Sequence, residues 1–444
     1  MKTLRCILMV SSLLLAAASC GKHPLPEPVD NYKGLVINEV SVHDEVVDAE
    51  SWVEILNTSD EAVSLDGLGL FVTDAYFTRR EIAAPTGTLE AGSRLMLSTA
   101  DGSLYTGVTS DAPFELHLGI KELDTDSFIR DDSDSESLFA RGSWQRIPDG
   151  GTEWKKLPYA SPGRANEVFD IDSTKPTAIW TWSSHISPLS DNDYASLKNL
   201  YSLGYRHILL NYAAFHPNNK KRTIEFMRVA EEMGWTIHAW LQCFYNGGWE
   251  NPVDDDNNKY KEEIFERIRT NARSYIEEFG VKGLHLDYIR FGGTAYKHNP
   301  SAEVNAVGAV NRCCREIREV ADSYDAGIVT SAALMPEVNS TQYYGQSPSL
   351  MGKYIHILMP MIYRYSYRYS DSSCKSVADW FADNSGGAKM WSGMQTYMGN
   401  DQSVTPMSAD EIRKDIDLFM STKGTGIVLF RYGLGTFPDV NDLN

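Results

Sequence analysis

From Thr177 onward the chain alternates eight short apolar runs with seven longer stretches of helical spacing. The runs lie in "TAIWTWSS" (177–184), "HILLNY" (207–212), "TIHAWLQCFY" (236–245) and "VKGLHLDYIRF" (281–291). They continue in "GIVTSAALMPE" (327–337), "IHILMPMIYR" (355–364), "AKMWSGMQTYM" (388–398) and "TGIVLFRYG" (425–433). Each is apolar nearly throughout, as a strand covered on both faces must be. Helical segments between them end on Gly204, Gly234, Gly280 and Gly424, which suit left-handed caps. Eight such units over 177–433 match a (β/α)8 TIM barrel in number and size. A doubly wound sheet fits eight regular units less well. Little chain follows Gly433, so the eighth helix is expected to be short or absent.

The region before the barrel has a different rhythm. Between residues 34 and 167, "LVINEV", "WVEILN", "VSLDGLGLFV", "RLMLS" and "FELHLG" alternate or run apolar between clusters of Ser, Asp, Gly and Pro. Short strands at that spacing predict an all-β sandwich. Residues 168–176 then read as a linker to a barrel over 177–444. At the N-terminus, Lys2 and Arg5 precede an apolar stretch from Cys6 to Leu15, too short to span a bilayer. Ala17-Ala18-Ser19-Cys20 follows. The segment resembles a bacterial lipoprotein signal, with Ala17 where leucine is usual. That resemblance implies removal of residues 1–19, lipidation of Cys20 and a tether over 20–33. It makes the protein an exported, membrane-anchored lipoprotein, at the cell surface or facing the periplasm.

Within 34–167, "INEV" (37–40), "WVEILNTSDEAVSLDGLGL" (52–70) and "WQRIPDGGTEW…ASPGRANE" (144–167) resemble the lamin-tail domain. The resemblance implies an immunoglobulin-like sandwich, of the kind found as an accessory module in secreted bacterial proteins.

The chain holds 60 Asp and Glu against 41 Lys and Arg, a net charge of −19. That balance argues against nucleic acid as a partner and against unaided binding to anionic lipid. The supply of 10 Trp and 23 Tyr is generous, and sugar C–H faces stack on such rings. Cys243, Cys313, Cys314 and Cys374 show no metal-ligand spacing and read as free thiols. Neither a metal nor a cofactor is implied.

In a (β/α)8 barrel the C-terminal strand ends carry the chemistry. Two carboxylates stand directly at those ends, Asp287 after the fourth strand and Glu337 after the fifth. Paired carboxylates are the minimal apparatus of glycoside hydrolysis. Arg290 and His285 lie near Asp287 in sequence, and a positive neighbour keeps a carboxylate ionised, which suits a nucleophile or stabiliser. Glu337 follows Met335-Pro336, an apolar setting that would raise its pKa and suit an acid/base role. Polar and aromatic groups at the other strand ends are candidates for substrate binding: Trp182, Asn211, Trp240, Gln242, His285, Arg290, Tyr363, Arg364, Gln395, Tyr397 and Arg431. Trp182 and Trp240 are the best placed as sugar platforms.

"GLHLDYIRF" also resembles the fourth-strand motif "DGIHLDYIRFP" of a group of glycoside-hydrolase-like barrels. Lys282 stands where that motif has its aspartate, and Gly292 where it has proline. The resemblance implies that Asp287 is the fourth-strand catalytic carboxylate and that Glu337 corresponds to an acid/base. The reading is an anchored glycoside hydrolase acting on an extracellular poly- or oligosaccharide. Two alternatives stand beside it. One is a barrel that binds glycan without cutting it. The other is a metal-dependent deacetylase or amidohydrolase built on His238, His285 and Asp287.

Overall fold

A computed structural model of the chain describes residues 30–43, 50–121, 123–131, 137–338, 340–400 and 403–443. The signal segment, Cys20 and most of the tether lie outside the described residues. Over the described residues the chain divides into two compact units. One comprises 30–38, 53–108 and 112–131; the other comprises 39–43, 50–52, 109–111 and 137–443. Among the described residues no helix is long and apolar enough to cross a membrane.

The N-terminal region is built of antiparallel sheets, one of four strands and one of five. In the four-stranded sheet Gly69–Thr73 lies between Arg79–Ala83 and Phe114–Ile120, and Leu123–Arg130 completes the edge. Leu70, Val72, Leu116 and Leu118 share one face and are fully buried, while Phe71 (6% exposed) and His117 (9%) point to the other, so little of either face of these central strands meets solvent.

The barrel follows. Strands β1 (Thr177–Thr181), β2 (His207–Leu210), β3 (Thr236–Gln242), β4 (Gly283–Asp287), β5 (Val329–Leu334), β6 (Ile357–Pro360), β7 (Lys389–Gln395) and β8 (Gly426–Phe430) each pair in parallel with the next. β8 pairs with β1 and closes the ring. The eight strands fall inside the eight apolar runs. Outside them pack α1 (Ile186–Ser202), α2 (Lys220–Glu232), α3 (Glu262–Phe279), α4 (Ala306–Tyr324), α5 (Pro348–Met351), α6 (Asp371–Asp383) and α7 (Ala409–Met420). Helix α1 is broken at Asp191–Tyr194, where three consecutive residues take left-handed φ of 50–58°. α3 ends on Gly280 at φ +61°, a left-handed cap that costs glycine nothing.

No helix follows β8 among the described residues. An extended tail takes its place, burying Val440 completely and Leu443 to 8% exposure. It is held by Val440 N–H donating to Leu203 O (2.7 Å) and by the Arg413–Asp442 ion pair (2.6 Å). Gly204, at φ +100°, admits the tail: a Cβ there would lie 2.9 Å from Asn441 N.

Two apolar clusters result, as strands buried on both faces require. One joins strands to helices, through residues such as Ile237, Leu284, Ile276 and Ile317. The other fills the barrel lumen with Trp180, Leu209, Trp240, Val329, Met359, Trp391 and Val428.

Candidate functional site

The register of β3 against β4 sets three levels inside the barrel: His238 beside Gly283, Trp240 beside His285, and Gln242 beside Asp287. Side chains two apart on a strand share a face, so His238, Trp240 and Gln242 climb the lumen together, as do His285 and Asp287. The lowest level needs a glycine, because a Cβ at Gly283 would meet His238 Nδ1 at 2.0 Å. The highest level is the rim.

His285 fills the middle level. It is fully buried; Nε2 accepts from Trp180 Nε1–H (3.1 Å), and Nδ1 faces Ser331 Oγ (2.9 Å). An accepting Nε2 leaves Nδ1 as the protonated nitrogen, donating to Ser331. Burial, with His238 behind it, drives the imidazole pKa down to about 3, so the ring is neutral. Both nitrogens are occupied, which corrects the expectation that His285 binds substrate and breaks up the His238–His285–Asp287 ligand set. Among the described residues no three His, Cys, Asp or Glu side chains converge as metal ligands.

Asp287 stands above it, partly exposed. Its Oδ2 accepts from Trp240 Nε1–H (2.9 Å) and its Oδ1 from the Tyr288 N–H (2.7 Å). The second bond depends on backbone form: Tyr288 takes φ +52°, a conformation that costs an aromatic residue roughly 1–2 kcal/mol. The β3–β4 ladder continues past the strand ends and over-determines that turn, through Cys243 N–H to Asp287 O (2.9 Å) and Phe244 N–H to Tyr288 O (3.0 Å). Trp240, 7% exposed, is thus the support of Asp287 and offers little face to a sugar.

The electrostatics differ from the expectation. Burial raises the Asp287 pKa above the ordinary carboxylate value, outweighing the Tyr288 N–H, the Arg290 charge and the Trp240 N–H, which all lower it. Asp287 and Arg290 form no ion pair. The Arg290 guanidinium lies instead among aromatic rings, 4.5 Å from the centroid of Trp249, 5.4 Å from Tyr344 and 6.0 Å from Tyr288. Tyr288 stacks on Tyr245 at 4.8 Å, and Trp249 meets both edge-on at 5.6 Å.

Glu337 is half-buried, and its Oε2 is buried with no hydrogen-bond partner. The Tyr344 hydroxyl reaches it; burial and then the Glu337 charge push that phenol pKa up. Tyr367 and Tyr369 are raised in the same order of causes. The Arg290 charge acts on Asp287, and its guanidinium lies over the ring of Tyr344, whose hydroxyl reaches Glu337.

The other named residues divide in two. On the β8–β1 side, Trp182 is 41% exposed, with the Arg431 guanidinium 3.7 Å over its ring and His185 parallel at 6.2 Å. Asn211 uses its Oδ1 to accept from Ala213 N–H (3.1 Å), and Gln242 stays half-buried at the level of Asp287. On the β6–β7 side the polar groups are consumed by the fold. Arg364 pairs with Asp415 (2.7 Å) and Asp371, away from the lumen. Gln395 accepts from the N–H groups of Tyr365 and Ser366 (both 3.1 Å) and donates to Ser366 Oγ (2.9 Å). Tyr397 is 1% exposed, and Tyr363 stacks on Phe430 at 5.4 Å. For Arg364, Gln395 and Tyr397 the substrate-binding expectation is therefore corrected.

Several solved structures are distantly similar to part of this chain. The PgaB glycoside hydrolase domain from Bordetella bronchiseptica has a TM-score of 0.44 at 10% identity, covering 58% of this chain and 94% of that one. The spore cortex-lytic enzyme SleL from Bacillus megaterium has 0.42 at 11%, covering 64% and 76%. A chitinase from Rhizomucor miehei has 0.39 at 11%, covering 58% and 94%. No protein-family model and no curated protein matches the chain.

Trp249, Tyr344, Tyr367 and Tyr369 lie beyond the strand ends, in loops and short helices that sequence reasoning at the strand ends does not reach. Trp249 carries a readable signal: it follows Gly247-Gly248 in the long β3–α3 loop and stays 45% exposed. The tyrosines carry none, because only the chain path after β5 and β6 brings them to Glu337.

Proposed function

We propose that this chain is a glycoside hydrolase acting at the C-terminal mouth of its barrel, with Asp287 as the proton-transfer group and Glu337 as the second carboxylate. The observation that carries the reading is Asp287 itself: a carboxyl at the rim, outside any ion pair, with a pKa raised by burial, beside a wall of aromatic rings. A carboxyl poised above the ordinary range suits general acid catalysis. Its proton passes to the leaving glycosidic oxygen as the C–O bond breaks. Glu337 balances the positive charge that develops on the sugar, water adds at the anomeric carbon, and its proton restores the carboxyl. This reverses the roles first expected for the two acids.

The exported, lipid-anchored character rests on Lys2, Arg5 and the Ala17–Cys20 segment. The lamin-tail resemblance supports an immunoglobulin-like accessory module ahead of the barrel.

The test is release of reducing ends from a panel of glycans. Asp287→Asn should lower turnover by about 10²–10⁴-fold while the chain still binds the glycan. Equal turnover in the two proteins would remove Asp287 from the chemistry. Binding with no turnover in the unaltered chain across the panel would favour the non-cutting barrel.

A further inference from the structure

Arg290 spends little of its hydrogen-bonding capacity within the chain. Many of the barrel's guanidiniums pair with a carboxylate, and others, such as Arg206 and Arg164, donate to backbone carbonyls at 2.7–2.8 Å. Around the barrel Arg141 pairs with Glu231, Arg269 with Glu316, Arg364 with Asp415 and Arg413 with Asp442. Even Glu250, next in sequence to Trp249, is taken by Arg267. Arg290 has only a long contact from Nη1 to Phe291 O (3.4 Å), and its Nε is buried without a hydrogen-bond partner.

A guanidinium presents five N–H donors in a planar fork that matches a carboxylate in bidentate fashion. Leaving such donors unmatched in a half-buried site costs free energy. The cation–π contacts to Trp249 and Tyr344 hold the group in place without using its N–H edge. Trp249 keeps 45% of its surface exposed beside the guanidinium, and Asp287 lies close enough to feel the Arg290 charge.

Building on the glycosidase reading, we propose that the substrate is an acidic glycan and that Arg290 binds the carboxylate of a uronic acid residue seated beside the scissile bond. The aromatic wall takes the ring of that residue and the guanidinium fork takes its charge. Arg290 then sets specificity, separately from the proton transfer at Asp287.

The experiment is calorimetric titration of the full chain in the Asp287→Asn form, which spares the ligand. The probes are oligouronides of several backbones and the same oligomers with the carboxyl reduced to hydroxymethyl. At least one acidic oligomer should bind ten or more times tighter than its reduced counterpart. Arg290→Gln should bring that ratio close to one, and Arg290→Lys should leave an intermediate ratio, since lysine keeps the charge and loses the fork. Lys also serves if the Gln variant does not fold. A ratio near one with Arg290 present, a ratio unchanged by Arg290→Gln, or no binding by any uronide would overturn the proposal. The ratio is read from binding alone, so it stands or falls apart from whether Asp287 is the catalytic acid.

Discussion

The two sides of the barrel mouth are made from similar residues and use them in opposite ways. Around β6 and β7, Arg364, Gln395 and Tyr397 are spent on the fold. The arginine ties two helices together, the amide holds the turn after β6, and the phenol ring lies in the core. Around β4 and β5, Arg290 and Glu337 keep buried polar atoms without hydrogen-bond partners, and Tyr288 holds a strained backbone. Native structures satisfy buried polar groups almost everywhere. Trp391 and His238 hold further unpartnered nitrogens inside the barrel, but at the mouth Arg290 and Glu337 lie with the left-handed Tyr288 beside them, which supports the proposal of a ligand site there.

That contrast can be broken most directly at Arg364. Arg364→Ala strips Asp415, a 4%-exposed carboxylate, of its cation and should lower stability by about 2–3 kcal/mol, read by denaturant titration. Glycan affinity of the folded fraction should stay within a few-fold. A loss of affinity with little loss of stability would put Arg364 in the site after all.

A smaller effect is expected at Trp240. Trp240→Phe keeps most of the lumen filling and removes the N–H that lowers the Asp287 pKa. The pKa should therefore rise further, and the limb of the pH–rate profile that belongs to Asp287 should move to higher pH. Turnover at the optimum should fall about tenfold, the equivalent of about 1.4 kcal/mol. An unmoved profile would make Trp240 packing alone.

The smallest effect sharpens the comparison by its sign. The folded state raises the Asp287 pKa, so it binds that proton more tightly than the unfolded chain does. Ionisation above the folded pKa therefore costs stability, and below the unfolded value of about 3.9 the cost is absent. Asp287→Asn should melt a degree or two higher than the unaltered chain at pH 7, with the difference closing as pH falls through the carboxylate range. A lower melting temperature at pH 7 would mean that the Trp240 and Tyr288 bonds outweigh burial, making Asp287 a structural acid.

The barrel was legible in the chain before its coordinates, for a definite reason. A parallel strand covered on both faces must be apolar along its length, and a helix lying on it must be apolar along one stripe, so the period of the pattern changes at every strand–helix boundary. Asp287 was legible too, as an ionisable group ending such a strand. The state of each rim residue was not. Arg290 and Arg364 look alike in sequence, each just past a strand, and only the packing of neighbouring elements supplied Asp415 to one and aromatic rings to the other. The Asp287 pKa likewise reflects how far the lumen removes it from water against three groups that oppose the shift. Local pattern reports what a segment must bury. Partners that arrive from distant segments decide which polar groups are satisfied, and those exist only once the ring has closed.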